Sequence, residues 1–154
     1  MHVKEEKIME WLFIRPLKSD ELIAEYEGKV DYHFPEDFKE CVRQNNGANP
    51  GPEVFISWHG KRKRKRVLNN LFSFNKEDKS TIWHYNDWRG DMSDWYKFSN
   101  GEVENYIAFA CDPFGDLICF DKRNDSVVWI DHETMNVEFV AKSFTKFIES
   151  LRKS

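Results

Sequence analysis

Residues 105–140 hold four short, largely apolar runs of alternating side chains, set apart by polar links. Tyr106, Ala108 and Ala110 share one side while Ile107 and Phe109 take the other; Leu117 and Cys119 alternate with Ile118 and Phe120, and Val127 and Trp129 with Val128 and Ile130. A period of two is strand periodicity. Between the runs stand Asp112-Pro113-Phe114-Gly115, Lys122-Arg123-Asn124-Asp125 and His132-Glu133-Thr134. These residues bond their own backbone, preset φ or tolerate positive φ, so each link is a turn with a chemical reason. Runs of about five residues joined this tightly pair with their neighbours, which predicts an antiparallel meander. The middle two strands are apolar on both faces, so something must cover each side of the sheet.

Helical spacing appears before and after this block. Ile8, Trp11, Leu12 and Arg15, ended by Pro16, predict a first amphipathic helix. Ser19 then caps a second, with Asp20 and Glu21 at the positive end of its dipole, Leu22, Ile23 and Tyr26 as its stripe and Gly28 as its stop. The third is the best marked: Pro35 at the first helical position, Glu36 and Asp37 in the first turn, a stripe of Phe34, Phe38, Cys41 and Val42, and Asn45-Asn46-Gly47 as its end. Asn49-Pro50-Gly51-Pro52 is a loop by composition. Val54, Ile56 and Trp58 then alternate as a strand, Gly60 begins a turn and residues 67–74 read as a second strand. A short helix over residues 80–87, capped by Ser80, fits the stretch that follows. The chain closes with Ser143 as a cap and Phe144, Phe147, Ile148 and Leu151 on one helical face, with Arg152 and Lys153 at its negative end.

Length and composition narrow the class. With 154 residues, 40% hydrophobic content, 13 Phe and 6 Trp, the chain is one domain, 1–154, with enough apolar material for a real core. No apolar run nears the roughly 18 residues that span a bilayer, and the opening residues mix acids and bases, so a cytosolic chain is expected. Three cysteines, Cys41, Cys111 and Cys119, lack a close pair, which argues against a disulfide framework or structural zinc. Charge is unevenly spread. Six of the 23 bases form Lys61-Arg62-Lys63-Arg64-Lys65-Arg66, and the other 17 face 27 acids, a balance of −10 outside one patch. Such a surface repels nucleic acid and attracts basic partners.

The order of these motifs resembles a known family. Phe34-Pro35-Glu36-Asp37-Phe38-Lys39-Glu40, Asn45-Asn46-Gly47, two strands, Tyr106-Ile107-Ala108-Phe109-Ala110-Cys111-Asp112, Gly115-Asp116, Ile118-Cys119-Phe120-Asp121, Val128-Trp129, Asp131-His132-Glu133 and a closing helix are similar to the SUKH superfamily. That family includes the yeast cell-wall-assembly regulators and many bacterial immunity proteins. The resemblance runs from about Ser19 to Leu151, with Phe34 where the family usually has Leu and Ala48 where it often has a second Gly. It implies an α+β fold: an antiparallel meander sheet with N-terminal helices and a C-terminal helix packed on it.

Candidate chemistry is sparse. The long link of residues 75–101 concentrates Trp83, Trp88 and Trp95 among Asp87, Asp91 and Asp94. Trp anchors with acidic flanks suit a basic protein surface, though the same rings would also serve to close the core under a loop. The expected partner-binding surface is Trp83, Trp88, Asp91, Asp94 and Trp95, with Asp112 and Asp116 nearby. In the basic run, strand conformation sends lysines to one side and arginines to the other, a solvated hairpin that blocks edge pairing. Asp112, Asp116, Asp121, Glu102 and Glu104 match no metal loop, and Asp112 and Asp116 have ready turn roles. The five histidines are scattered and no G-x-S-x-G, H-E-x-x-H or phosphate-cradling glycine loop is present. The expectation is therefore no catalytic residue, no metal and no cofactor. Through the resemblance, the predicted function is an immunity protein that binds and neutralises a cognate polymorphic toxin, often a nuclease. A regulatory protein-binding scaffold, and a nucleic-acid binder using the basic run, are the alternatives; oligomeric state stays open.

Overall fold

A computed structural model describes residues 8–85 and 102–154. In chain order the elements are β1 (Glu10–Leu12), α1 (Glu21–Val30), α2 (Glu36–Asn45), β2 (Asn49–Gly51), β3 (Val54–His59), β4 (Arg62–Val67), β5 (Asn70–Leu71), α3 (Ile82–Tyr85), a 3-10 turn (Glu102–Asn105), β6 (Tyr106–Cys111), β7 (Leu117–Asp121), β8 (Val127–Ile130), β9 (Val137–Ala141) and α4 (Phe144–Ser150). The fold is α+β, as the periodicity predicts. β6 to β9 form the expected antiparallel meander, and the whole sheet has the order β4-β3-β9-β8-β7-β6-β5.

That order contains a geometric demand. β4 and β5 lie at opposite edges, yet only Leu68 and Asn69 separate them in sequence. Strands about 4.8 Å apart would put the edges of a flat seven-stranded sheet about 29 Å from each other. Three peptide steps reach at most about 11 Å. The sheet must therefore roll until its edges meet at this end, and the link shows the closure: Leu68 N–H donates to Glu53 O at 2.8 Å on the β3 side, and Asn69 N–H to Cys111 O at 2.9 Å on β6.

The inside of the roll is aromatic. Phe109 and Phe120 stack at 4.4 Å, and Phe38 of α2 meets Phe120 edge-on at 5.1 Å and Phe144 of α4 at 5.2 Å. Phe147 meets Phe55 of β3 at 5.3 Å. Phe109 sits where the β6 to β7 register shifts between Ala108 and Ala110. The two helices that cover this core are also tied together, since Asp37 Oδ2 accepts from Thr145 N–H at 2.9 Å and from its hydroxyl at 2.6 Å. Ser143 caps α4 as predicted, its Oγ accepting from Lys146 N–H. No helix among the described residues is long and apolar enough to cross a membrane.

Several local expectations are corrected. The helix read from Ile8, Trp11, Leu12 and Arg15 is instead strand β1, antiparallel to β2, with Trp11 opposite Pro50. Ile8 and Leu12 are exposed, so no buried helical stripe forms, and a segment that short gains more from an existing partner strand than from a helix nucleus. Asn49 to Gly51 is accordingly a strand and not a loop. α1 passes through Gly28 and ends at Asp31, whose φ of 52° supplies the left-handed cap. Pro35 stands at the cap of α2 and outside its first turn. The strand expected over residues 67–74 is divided: the basic run itself is β4, and only Asn70–Leu71 continues as β5, on the far edge. α3 begins at Ile82 and Thr81, not Ser80, caps it, its Oγ1 accepting from His84 N–H; residues 86 and 87 of the expected helix lie outside the described residues.

Asn46 shows what the Asn-Asn-Gly end of α2 does beyond turning. Its side chain donates to Arg15 O at 2.8 Å and Ser73 Oγ at 2.9 Å and accepts from Phe74 N–H at 3.0 Å. It joins the N-terminal arm, the helix end and the segment after β5. Phe120 ties several elements together, meeting Tyr32, Phe34, Phe38, Phe109 and Phe144. Phe120→Ala is expected to lower unfolding free energy by about 3–5 kcal/mol; a denaturant titration showing a loss below about 1 kcal/mol would mean the roll does not depend on that ring.

Candidate protein-binding site

Two turns meet at the end of the sheet away from α4. The first joins β6 to β7 and is built on Asp112, whose Oδ1 accepts from Phe114 N–H at 2.8 Å and Asp116 N–H at 2.9 Å, while Oδ2 accepts from Trp129 Nε1–H at 3.2 Å. Gly115, at φ +90°, supplies the left-handed step this loop needs. Asp112 is buried, and that burial pushes its carboxyl above the usual range, with the amides of Asp116 and Phe114 opposing the shift. The second turn joins β8 to β9, and Asp131 Oδ1 holds it by accepting from Glu133 N–H at 2.7 Å and Thr134 N–H at 3.2 Å.

Asp116 locks the turns together. Its Oδ1 accepts from His132 N–H at 3.1 Å and lies 2.7 Å from His132 Nδ1. That hydrogen bond raises the imidazole above its ordinary value, against the effect of partial burial. The result is a rim carrying Asp116, Asp131 and Glu133, and from it Phe114 projects with 79% of its surface exposed. An apolar ring that exposed, on a loop held by the Asp112 and Asp116 carboxylates, has the preorganised character of a binding anchor.

Below the rim lies a cleft of about 220 Å³ that includes Trp129, Arg66, Glu138 and Arg64 in its lining. The Arg66 guanidinium stacks 3.5 Å from the centre of the Trp129 ring and donates to Glu138 Oε1 at 2.9 Å and to Ser57 Oγ at 3.1 Å. Ser57 donates in turn to Glu138 at 2.7 Å. Burial works to raise the Glu138 carboxyl, but the bonds from Arg66 and Ser57 outweigh it and leave the group below its usual value. Arg66 and Glu138 are thus committed to one another. Asp116, Asp131 and His132 place a possible donor atom each within 4.8 Å of the others, yet the same atoms already organise the two turns. Cys41 and Cys111 are free thiols pushed up to about 11 and about 12, chiefly by burial, so neither is a thiolate near neutral pH.

Of the residues expected at the partner surface, Asp112 and Asp116 are brought together here, the first as the buried frame of the turn and the second in its lock. Trp83 lies elsewhere, on α3, where its Nε1–H donates to Phe74 O at 2.9 Å, its ring meets Tyr26 edge-on at 5.0 Å and Lys76 covers it at 4.5 Å. It closes the core beside α1. Trp88, Asp91, Asp94 and Trp95 lie outside the described residues. Phe114, Asp131 and Glu133 were not singled out by sequence reasoning; the one available signal was a large apolar ring inside a turn whose chemistry needs only Asp, Pro and Gly.

The raised His132 value has a sign. A histidine whose folded pKa exceeds its unfolded one stabilises fully below about 6.5 and loses that contribution as pH climbs through the folded value. Stability should thus decline from about pH 6.5 upward, and His132→Gln should remove that part of the slope in denaturant midpoints measured across pH; an unchanged slope would show that the imidazole does not titrate against Asp116.

Among curated proteins, none matches the chain. A family model described as SUKH_6, SMI1-KNR4 cell-wall, matches residues 20–148, from the start of α1 to within α4. Since the match takes in α1, α2, the rolled sheet and both turns of the rim, the chain belongs to the SUKH family.

Proposed function

We propose that the protein is an immunity protein, which binds a cognate toxin of the nuclease class through the acidic rim and blocks it. Membership of a family of immunity and regulatory proteins supports action by protein contact. The observation that carries the choice of surface is Phe114, exposed at 79% amid Asp116, Asp131 and Glu133. A nuclease offers a positive surface because its substrate is a polyanion. An acidic rim steers such a surface in, and a desolvated ring slows its release. Trp88, Asp91, Asp94 and Trp95, which lie outside the described residues, are proposed as further contact residues for the toxin, and Asp112 as the frame of the rim. The family's cell-wall description favours a second reading, a regulatory scaffold, which would have no toxin gene beside it.

The test is co-expression with the neighbouring gene, scoring survival, followed by affinity measurement on the purified pair. Protection is expected, with Phe114→Ala and Glu133→Lys each weakening binding by about tenfold or more while leaving the melting curve unchanged. A chain that gives no protection removes the immunity reading. Protection that survives both changes and also Trp88→Ala with Trp95→Ala would move the contact off this surface.

A further inference from the structure

The six consecutive cations are not one patch. In β4 and β3 the register sets Trp58 opposite Lys63 and Ile56 opposite Lys65, and in β9 Phe139 lies opposite Trp58. Cross-strand partners share a face. Phe139, Trp58 and Lys63 therefore stand in one row across three neighbouring strands, with Val137 and Lys65 beside it on the same side. The arginines point to the other side, where Arg66 is held by Glu138 and Trp129.

This outer face is unusual in composition. Trp58, Phe139 and Val137 remain 40%, 44% and 36% exposed, although they continue a sheet face on which Val128 and Cys119 are buried. Lys63 and Lys65 are exposed and join no ion pair among the described residues. In a chain of 27 acids, the residues of β3, β4 and β9 on this side include no carboxylate. Glu138, the one acid on those strands, is turned inward to Ser57. An apolar patch bordered by uncompensated cations is complementary to apolar groups bordered by anions.

We propose that this face docks an acidic amphipathic segment of a partner protein, with apolar side chains seated on Trp58, Phe139 and Val137 and carboxylates on Lys63 and Lys65. A protein segment fits better than nucleic acid for two reasons. Val137 is aliphatic and offers no stacking platform, and beyond the hairpin the chain's balance of −10 repels a polyanion that runs past the patch. Two copies joined edge to edge through β4 would set cations against cations, which disfavours self-pairing there. The surface is distinct from the acidic rim, so it stands or falls independently of the toxin reading.

The probe is a fluorescein-labelled synthetic peptide with Glu on one side and Leu and Phe on the other, titrated into the full chain at low salt. Binding is expected to weaken as salt rises, to fall by about tenfold or more in Trp58→Ala with Phe139→Ala, and to shift the amide resonances of β3, β4 and β9. Both rings are exposed, so the variant should keep its fold. In Lys63→Glu with Lys65→Glu the acidic peptide should be lost and its lysine isomer gained, a swap that a mere structural defect would not give. No binding of the acidic peptide, or equal binding of both isomers, overturns the proposal. So does tighter binding of single-stranded oligothymidine through the same residues, or self-association that Phe114→Ala and Trp58→Ala both abolish, which would assign the face to the acidic rim of a second copy.

Discussion

The two-residue link between β4 and β5 governs the architecture, because it ties the opposite edges of a seven-stranded sheet within one short step of chain. Rolling the sheet to satisfy it creates an inside and an outside from strands that, laid flat, would need cover on both faces. Phe109, Phe120 and Phe55 line the inside, and α2 and α4 press Phe38, Phe144 and Phe147 into its open flank. Rings dominate because they fill a curved space with few side chains and meet edge to face. The register shift at Phe109 is part of the same solution, since an extra residue in one strand bends it and increases its twist.

At the far end of the roll the interior turns polar. Arg66 enters the sheet interior between Trp129 and Glu138, and Ser57 completes the group. A half-buried arginine is best held by both a flat partner and a paired acid, and this one has each. Strand alternation thus has an electrostatic consequence. It draws one arginine into a satisfied network, leaves the lysines outside beside Trp58, and so converts a run of like charges into two surfaces of different character.

The rim above this polar end owes its shape to carboxylates that hold backbone. Asp112 and Asp131 each hold turn amides through Oδ1, and Asp116 reaches across to His132. Rigid turns of this kind present neighbouring side chains without further ordering on binding, which is why Phe114 and Glu133, whose side chains the turns do not need, are the contact residues proposed. Protein-binding members of a family can differ in partner by changing such projecting residues while the frame beneath them persists.

Much of the fold was legible in the residues alone. The meander, its three turns, α2 and α4 follow from periods of two and 3.6 and from turn and cap chemistry, all of which act over a few neighbours. The lysine and arginine split was legible for the same reason, since alternation is a property of the strand itself. Tertiary structure decided the rest. Ile8, Trp11 and Leu12 have helical spacing, but β2 offers backbone partners that a short isolated helix cannot match. Residues 67–74 look like one strand, yet closure of the roll cuts them at Leu68 and sends β5 to the other edge. Phe114 and Trp58 are apolar in sequence like any core ring. Only the meeting of distant strands and turns determined that these two face outward, because exposure depends on what else occupies the space and not on the residue.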